Sequence, residues 1–317
     1  MDRAPDFKKP CENDLIAKSL YVYQVFFSFL SGSIMSPLIQ WLYAIILGII
    51  QGVSEWLPIS SKTQIIVAST YLLKLTFQQA YTFGLFMEIG TLTAAVIYLR
   101  KELVELVQVL LGSKDKTKRK LLAYVVVVTI ITGAIGAPLY LIADSITGIA
   151  VGIPMLIIGF VLLADAALIR YSKKRQKQGI TPKKLENLTL KDYLLVGITQ
   201  GISALPGISR SGITTSTMLL LNVEPDEAFR LSFIAGIFAS LAAFGLTLIA
   251  TEPNVSASIA KIGLTGLAIA IITSTIISLF LIDFLIKVAG KQKIIYLTAA
   301  LGTIAIASGM LYLALGI

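Results

Sequence analysis

LGIIQGVSEWLPISSKT, residues 47–63, starts as an apolar helix and then sets an acid, a proline, two serines and a lysine among isoleucines, leucines and valines. The same order returns at VGITQGISALPGISRSG, residues 196–212. Both copies read Gly-Ile-x-Gln-Gly-[Val/Ile]-Ser, then Leu-Pro, then a hydroxyl–basic–hydroxyl triplet: Ser61-Lys62-Thr63 in one and Ser209-Arg210-Ser211 in the other. One residue of slack before the proline aligns them. Proline removes a backbone donor and clashes with the preceding turn, so each copy predicts a helix broken near Pro58 or Pro206.

The surroundings are those of a membrane. Of 317 residues, 56% are hydrophobic and 14% charged, against about a quarter charged in an ordinary soluble domain. Apolar runs long enough to cross about 30 Å of hydrocarbon lie at about 81–99, 121–142, 148–169, 228–250, 261–285 and 294–316. The net charge of +9 does not indicate nucleic acid, because the basic residues cluster in short segments between these runs, where they orient a membrane protein. Cys11 is the one cysteine, which excludes an intrachain disulfide, and the chain has no histidine. Its chemistry must rest on carboxylates, hydroxyls, amides, lysine and arginine.

Charge also assigns the loops to sides. Segments 100–120, 170–191 and 287–293 are rich in Lys and Arg and read as cytoplasmic, whereas the turns ADSITG (143–148) and TEPNVSAS (251–258) carry acid without Lys or Arg and read as outside. Segment 192–224 must then enter and return on the cytoplasmic side, and 38–78 on the outer side. Three spans separate the two motif copies, so the second is inverted relative to the first. The expected fold is an all-α integral membrane protein with an inverted-topology repeat, about six transmembrane helices and two re-entrant helix pairs. Residues 37–317 form one membrane domain, with repeat one about 37–169 and repeat two about 192–317. Residues 1–36 are an N-terminal extension: a leader, an extra span, or sequence upstream of a protein that begins near Met35.

Broken helices at a repeat interface place helix ends where irregular backbone is tolerated only inside protein or along a wet cavity. A helix beginning just after Pro206 offers free N–H groups, hydroxyls at Ser209, Ser211 and Thr214, and the Arg210 guanidinium, which together suit a phosphate. Ionisable groups at membrane depth usually mark a site, which singles out Glu55 and Arg210. Glu88 can enter the same cavity, whereas Asp165 and Asp283 lie near expected cytoplasmic ends and should be solvated. Gly48-x-x-x-Gly52 and Gly197-x-x-x-Gly201 read as close helix packing.

From about residue 38 to the C-terminus, the paired stretches QGVSEWLPISS and GITQGISALPGISRSGITTS resemble the two signatures of the undecaprenyl-diphosphate phosphatase family of integral membrane enzymes. The resemblance implies hydrolysis of a polyprenyl diphosphate, undecaprenyl or dolichyl-like, to the monophosphate and phosphate. It implies a divalent cation, Mg²⁺ or Ca²⁺, and a multi-pass protein of the cell membrane whose site opens to the outer face. The lipid carrier of cell-surface glycan synthesis would thereby be recycled. Carried over residue by residue, Glu55, Ser61 and Arg210 are catalytic, and Glu55 with Gln51 holds the metal. Ser60, Gln64, Gln200, Ser209, Ser211, Gly212 and Thr214 bind substrate. Ser61 is either the nucleophile or a donor to phosphate while water attacks. The family usually continues past its serines with a small residue, Gly and His, where this chain has Lys62, Thr63 and Gln64. The expected partners are the lipid substrate and membrane lipids, with a homodimer left open. The alternative function is a polyprenyl-phosphate transporter or flippase that uses the same Arg210 without hydrolysis.

Overall fold

The structure, a computed structural model, describes residues 37–143, 152–176, 181–205, 207–250, 252–289 and 293–316. The extension at 1–36, most of the turn at 143–148, part of the basic segment at 170–191 and Pro206 lie outside the described residues. Among the described residues eleven α-helices follow in chain order: α1 Pro37–Ser54, α2 Ser61–Leu73, α3 Phe77–Tyr98, α4 Arg100–Leu110, α5 Lys116–Ala143, α6 Gly152–Gln176, α7 Leu190–Ile202, α8 Arg210–Leu220, α9 Pro225–Ala250, α10 Glu252–Ala289 and α11 Ile294–Ala314. No strand pair beyond one isolated bridge, Lys183 to Val223, occurs among the described residues.

The described part of each expected span lies, but for a residue or two at an end, in one helix: α3, α5, α6, α9, α10 or α11. The chain is a multi-pass membrane protein. Stretches within α5, α9, α10 and α11 are long and apolar enough to cross, as is α1 with its 18 residues. Residues 83–98 of α3 bend by 74° into α4. Helices α2, α7 and α8 have 13, 13 and 11 residues. At 1.5 Å per residue they reach only about 20 Å, too little to span. Each is half of a broken pair: α1 packs on α2 across residues 55–60, and α7 on α8 across 203–209.

Helices are exchanged between the repeats. The first helix of each re-entrant pair packs on a long span of the other repeat, α1 on α10 and α7 on α5. Small residues permit this. A Cβ on Gly48 would lie 2.6 Å from the Ala270 carbonyl oxygen, and one on Gly197 would lie 2.8 Å from the Ile131 Cβ. Gly52 meets Ile277 and Ser274 in the same manner, and Gly201 meets Ile135. The packing reading of both Gly-x-x-x-Gly pairs therefore holds. A third close contact joins α6 to α11 antiparallel, Gly152 against Gly309 and Gly159 against Gly302. Gly48→Ala is expected to destabilise the protein by about 1–3 kcal/mol through overpacking. Gly245→Ala is the control, since nothing lies within 4 Å of its added methyl; it should be neutral or stabilise slightly. Thermal unfolding in detergent distinguishes them.

Two loop expectations need correction. Residues 252–258 are the start of α10, not a turn. Pro253 suits the first turn of a helix, and the true break comes at Gly263, with φ 74° and ψ 157°, a conformation open to glycine. Likewise, residues 100–110 of the basic segment form α4. Charge reports the side of the membrane, and it does not prevent a polar stretch from coiling along the surface.

Candidate active site

The two breaks meet at the centre. Ser60, the N-cap of α2, has φ 53° and ψ 91°, a conformation uncommon for a residue with a Cβ that turns the chain from Pro58 into α2. Ser209 caps α8 and accepts from the Gly212 N–H at 3.2 Å, satisfying one of the unpaired donors of that helix start. The breaks are then stitched together. Ser209 donates to the Leu57 carbonyl at 3.1 Å, and Ser211 to the Glu55 carbonyl at 3.0 Å. A Cβ on Gly212 would lie 2.8 Å from the Cβ of Pro58, so only glycine lets α8 start this close to the first break.

Glu55 is buried. One of its oxygens accepts from Arg210 Nη2; the other accepts from Ser61 Oγ at 2.6 Å and Gln51 Nε2 at 3.0 Å. Arg210 projects from the first turn of α8 into three further contacts. Its Nη1 donates to the Gly236 carbonyl at 3.1 Å and to Ser240 Oγ, and lies 3.6 Å from Glu88 Oε2. Ser240 Oγ donates in turn to Glu88 Oε2 at 2.7 Å, and Lys62 Nζ lies 3.7 Å from Glu88 Oε1. The result is an alternating row of charges, Glu55, Arg210, Glu88 and Lys62, in a low-dielectric interior where such pairs are held far more firmly than in water.

Arg210, Glu88 and Lys62 border a cleft of about 670 Å³, including its open mouth, whose other polar walls include Thr129, Thr132, Gln200 and Ser203; Glu55 and Ser61 lie behind Arg210 rather than on the wall of this cleft. Its upper walls are small and apolar, among them Gly133, Gly136, Ala137, Ala239 and Ala242. Gln200 Nε2 donates to Thr132 Oγ1 at 3.1 Å. Thr214 lies behind Arg210, donating to its carbonyl at 2.7 Å and meeting Ser232. Ser60 Oγ accepts from Thr63 Oγ1 at 3.1 Å.

Glu55, Ser61, Gln51 and Arg210 are thus brought together, with Gln200 along the cleft and Ser209, Ser211, Gly212 and Thr214 holding the start of α8. Gln64 is placed elsewhere. It donates to the Ile59 carbonyl and accepts from the Tyr312 hydroxyl at 3.0 Å. From that position Gln64→Ala is expected to leave turnover within about threefold while lowering stability by about 1 kcal/mol for a lost buried hydrogen bond. Steady-state kinetics and thermal unfolding check the split.

Ser240 is the site residue that sequence reading missed, since one serine in a long apolar helix carries no pattern. Glu88 does enter the cavity. Asp165 overturns an expectation: it is 1% exposed, beside Ser216, so solvation does not account for it. The α6–α11 glycine contact and α8 enclose this end of α6 more tightly than its sequence suggests. Asp283, with 39% of its side chain exposed and bonded to Lys287 and Tyr98, is solvated as expected.

Comparison with known proteins places this geometry. The family described as "Bacitracin resistance protein BacA" matches residues 44–306. A protein of Saccharolobus solfataricus named undecaprenyl-diphosphatase is 46% identical over 271 residues, covering 85% of this chain and 96% of its own. Relatives with the same name in Sulfurisphaera tokodaii and Pyrobaculum aerophilum are 45% and 37% identical, over 84% of this chain and 96% and 97% of their own lengths.

Proposed function

As the chain belongs to the bacitracin resistance protein BacA family, we propose that it is a membrane hydrolase that cleaves a polyprenyl diphosphate, undecaprenyl or dolichyl-like, to the monophosphate and phosphate. It thereby returns a lipid carrier to cell-surface glycan synthesis. The observation that carries the reading is the Ser61 Oγ–Glu55 Oε2 hydrogen bond of 2.6 Å beside the Arg210 guanidinium. A hydroxyl directed at a carboxylate, with a planar cation alongside, is the arrangement of a nucleophile, its base and a phosphoryl clamp.

In the proposed sequence, Arg210 turns its fork to two oxygens of the phosphoryl group next to the prenyl chain. Ser61 Oγ bonds to the terminal phosphorus as its proton passes to Glu55, and the bridging P–O bond breaks, the departing polyprenyl monophosphate taking that proton from Glu55. Water then attacks the phosphorus of the Ser61–phosphate ester, giving a proton to Glu55, and the Ser61 Oγ–P bond breaks as Glu55 returns that proton to Ser61 Oγ. The developing charge spreads over phosphoryl oxygens, so positioning and neutralisation supply most of the catalysis.

A divalent cation fits the donors present. Gln51 Oε1 is buried without a hydrogen-bond partner among the described residues, and Gln51 adjoins Glu55, so the two offer the oxygen ligands that Mg²⁺ or Ca²⁺ prefers. Such an ion would neutralise diphosphate charge there. The outward opening is supported by the cleft walls at Tyr140 and Leu246, near the ends of α5 and α9 that loop charge assigns to the outside of a plasma membrane.

Phosphate release by the purified protein in detergent, from a long-chain polyprenyl diphosphate with and without Mg²⁺ or Ca²⁺, tests the reading. Metal-dependent release is expected. No release under any metal condition would leave transport without hydrolysis, which the relatives' shared name does not favour.

A further inference from the structure

Lys62 is the unexplained cation of the site. The mechanism above leaves it without a role. Its place in the fold is specific. Counted from the two prolines, Lys62 in the first turn of α2 is the repeat counterpart of Arg210 in the first turn of α8. The same displacement along the chain relates Glu88 on α3 to Gly236 on α9. Lys62 reaches Glu88, and Arg210 reaches the Gly236 carbonyl. The inverted repeat has therefore delivered one cationic arm from each half to the same cleft, and both arms line it.

The two arms are not equally committed. Arg210 is spread over Glu55, Gly236, Ser240 and Glu88. Among the described residues Lys62 makes one ion pair, at 3.7 Å with Glu88, too long for a hydrogen bond, and no hydrogen bond of its ammonium group; its charge also acts at longer range on Glu55. Its side chain is 15% exposed against 5% for Glu88, and it lines the cleft. A lysine presents three rotatable donors on a flexible stem, and here those donors are unspent.

We propose that Lys62 is the specificity-determining cation of this site, binding the second phosphoryl group of a prenyl diphosphate while Arg210 binds the first. This rests on the diphosphatase reading and deepens it. Substrate and lipid product share the prenyl chain and one phosphoryl group, so a single clamp binds both and leaves the product as an inhibitor. A second cation satisfied only by the second phosphoryl group discriminates between them, because the product leaves it loosely paired with Glu88. Glu88 lies between the two cations, 3.7 Å from Lys62 Nζ and 3.6 Å from Arg210 Nη1, and is left with Ser240 when the ligand draws the cations forward.

The test is equilibrium binding, measured by titration calorimetry, of farnesyl methylenediphosphonate and farnesyl monophosphate to the full chain in detergent. Wild type should bind the diphosphonate more tightly. Lys62→Met should weaken diphosphonate binding about tenfold or more and monophosphate binding less than about threefold, as expected for loss of one charge-assisted contact. Lys62→Arg should restore most of the difference. Equal weakening of both ligands, or unchanged diphosphonate binding, would overturn the proposal, as would a wild type that does not distinguish them. Unfolding temperatures within a few degrees of wild type keep the comparison valid, and Lys62→Gln, with the same expected losses, serves in its place if Lys62→Met fails to fold. Wild type that discriminates between the ligands but releases no phosphate from a diphosphate would sink the hydrolase reading and leave the Lys62 assignment standing.

Discussion

Arg210→Lys should lower kcat/KM about a hundred- to a thousandfold, a loss of about 3–4 kcal/mol, typical of removing a principal electrostatic donor from a water-poor site. The charge survives the change and the geometry does not. Arg210 contacts Glu55 through one terminal nitrogen and Gly236, Ser240 and Glu88 through the other. A single ammonium cannot bridge both carboxylates and still present two parallel donors to a phosphoryl group. Buried Glu55 or buried Glu88 is then left without its partner. Phosphate-release kinetics, with unfolding temperature as the control for folding, measure the loss. A variant retaining a third or more of wild-type kcat/KM would remove Arg210 from the reaction.

Glu55→Gln should fail differently. The amide keeps the size of the side chain and can still accept from Ser61, but it no longer attracts a proton from that hydroxyl or charge from a bound ion. kcat is expected to fall by about a hundredfold, within the usual contribution of a general base. The divalent-cation concentration giving half-maximal residual activity should rise about tenfold, since loss of one hard anionic donor weakens such a site. Arg210→Lys should leave that midpoint almost unmoved. A metal titration of both variants separates the roles, and an unchanged midpoint in Glu55→Gln would strike Glu55 from the metal ligands. Neither wild type nor these two variants should show a pH limb from imidazole, because the chain has no histidine.

Much of the protein is legible before folding because the bilayer is a severe solvent. Backbone groups must be satisfied locally, so spans announce themselves as apolar runs, and the described part of each of the six expected runs lies, but for a residue or two at an end, within a helix. Loop charge and the motif repeated at 47–63 and 196–212 then yield the inversion. Glu55 and Arg210 stand out for the same reason, as charges where charge is costly. The misreadings share a cause as well. Residues 252–258 looked like a turn because polarity was taken for loop, and Asp165 looked solvated because its neighbours along the chain are not its neighbours in space.

Sequence alone therefore determined the helical membrane class, the two helix breaks and the acid and base that meet at them, since these follow from one-dimensional properties: hydrophobic length, proline position and charge. Tertiary structure alone decided which helices cross between repeats, that Ser240 and Glu88 complete the charge row, that Gln64 turns to Tyr312, and that Lys62 faces the cleft as the mirror of Arg210. Those outcomes depend on close packing at glycines such as Gly48, Gly197 and Gly212. There, the absence of a single carbon sets how near two distant segments come, and apolar patterning along the chain carries no record of that distance.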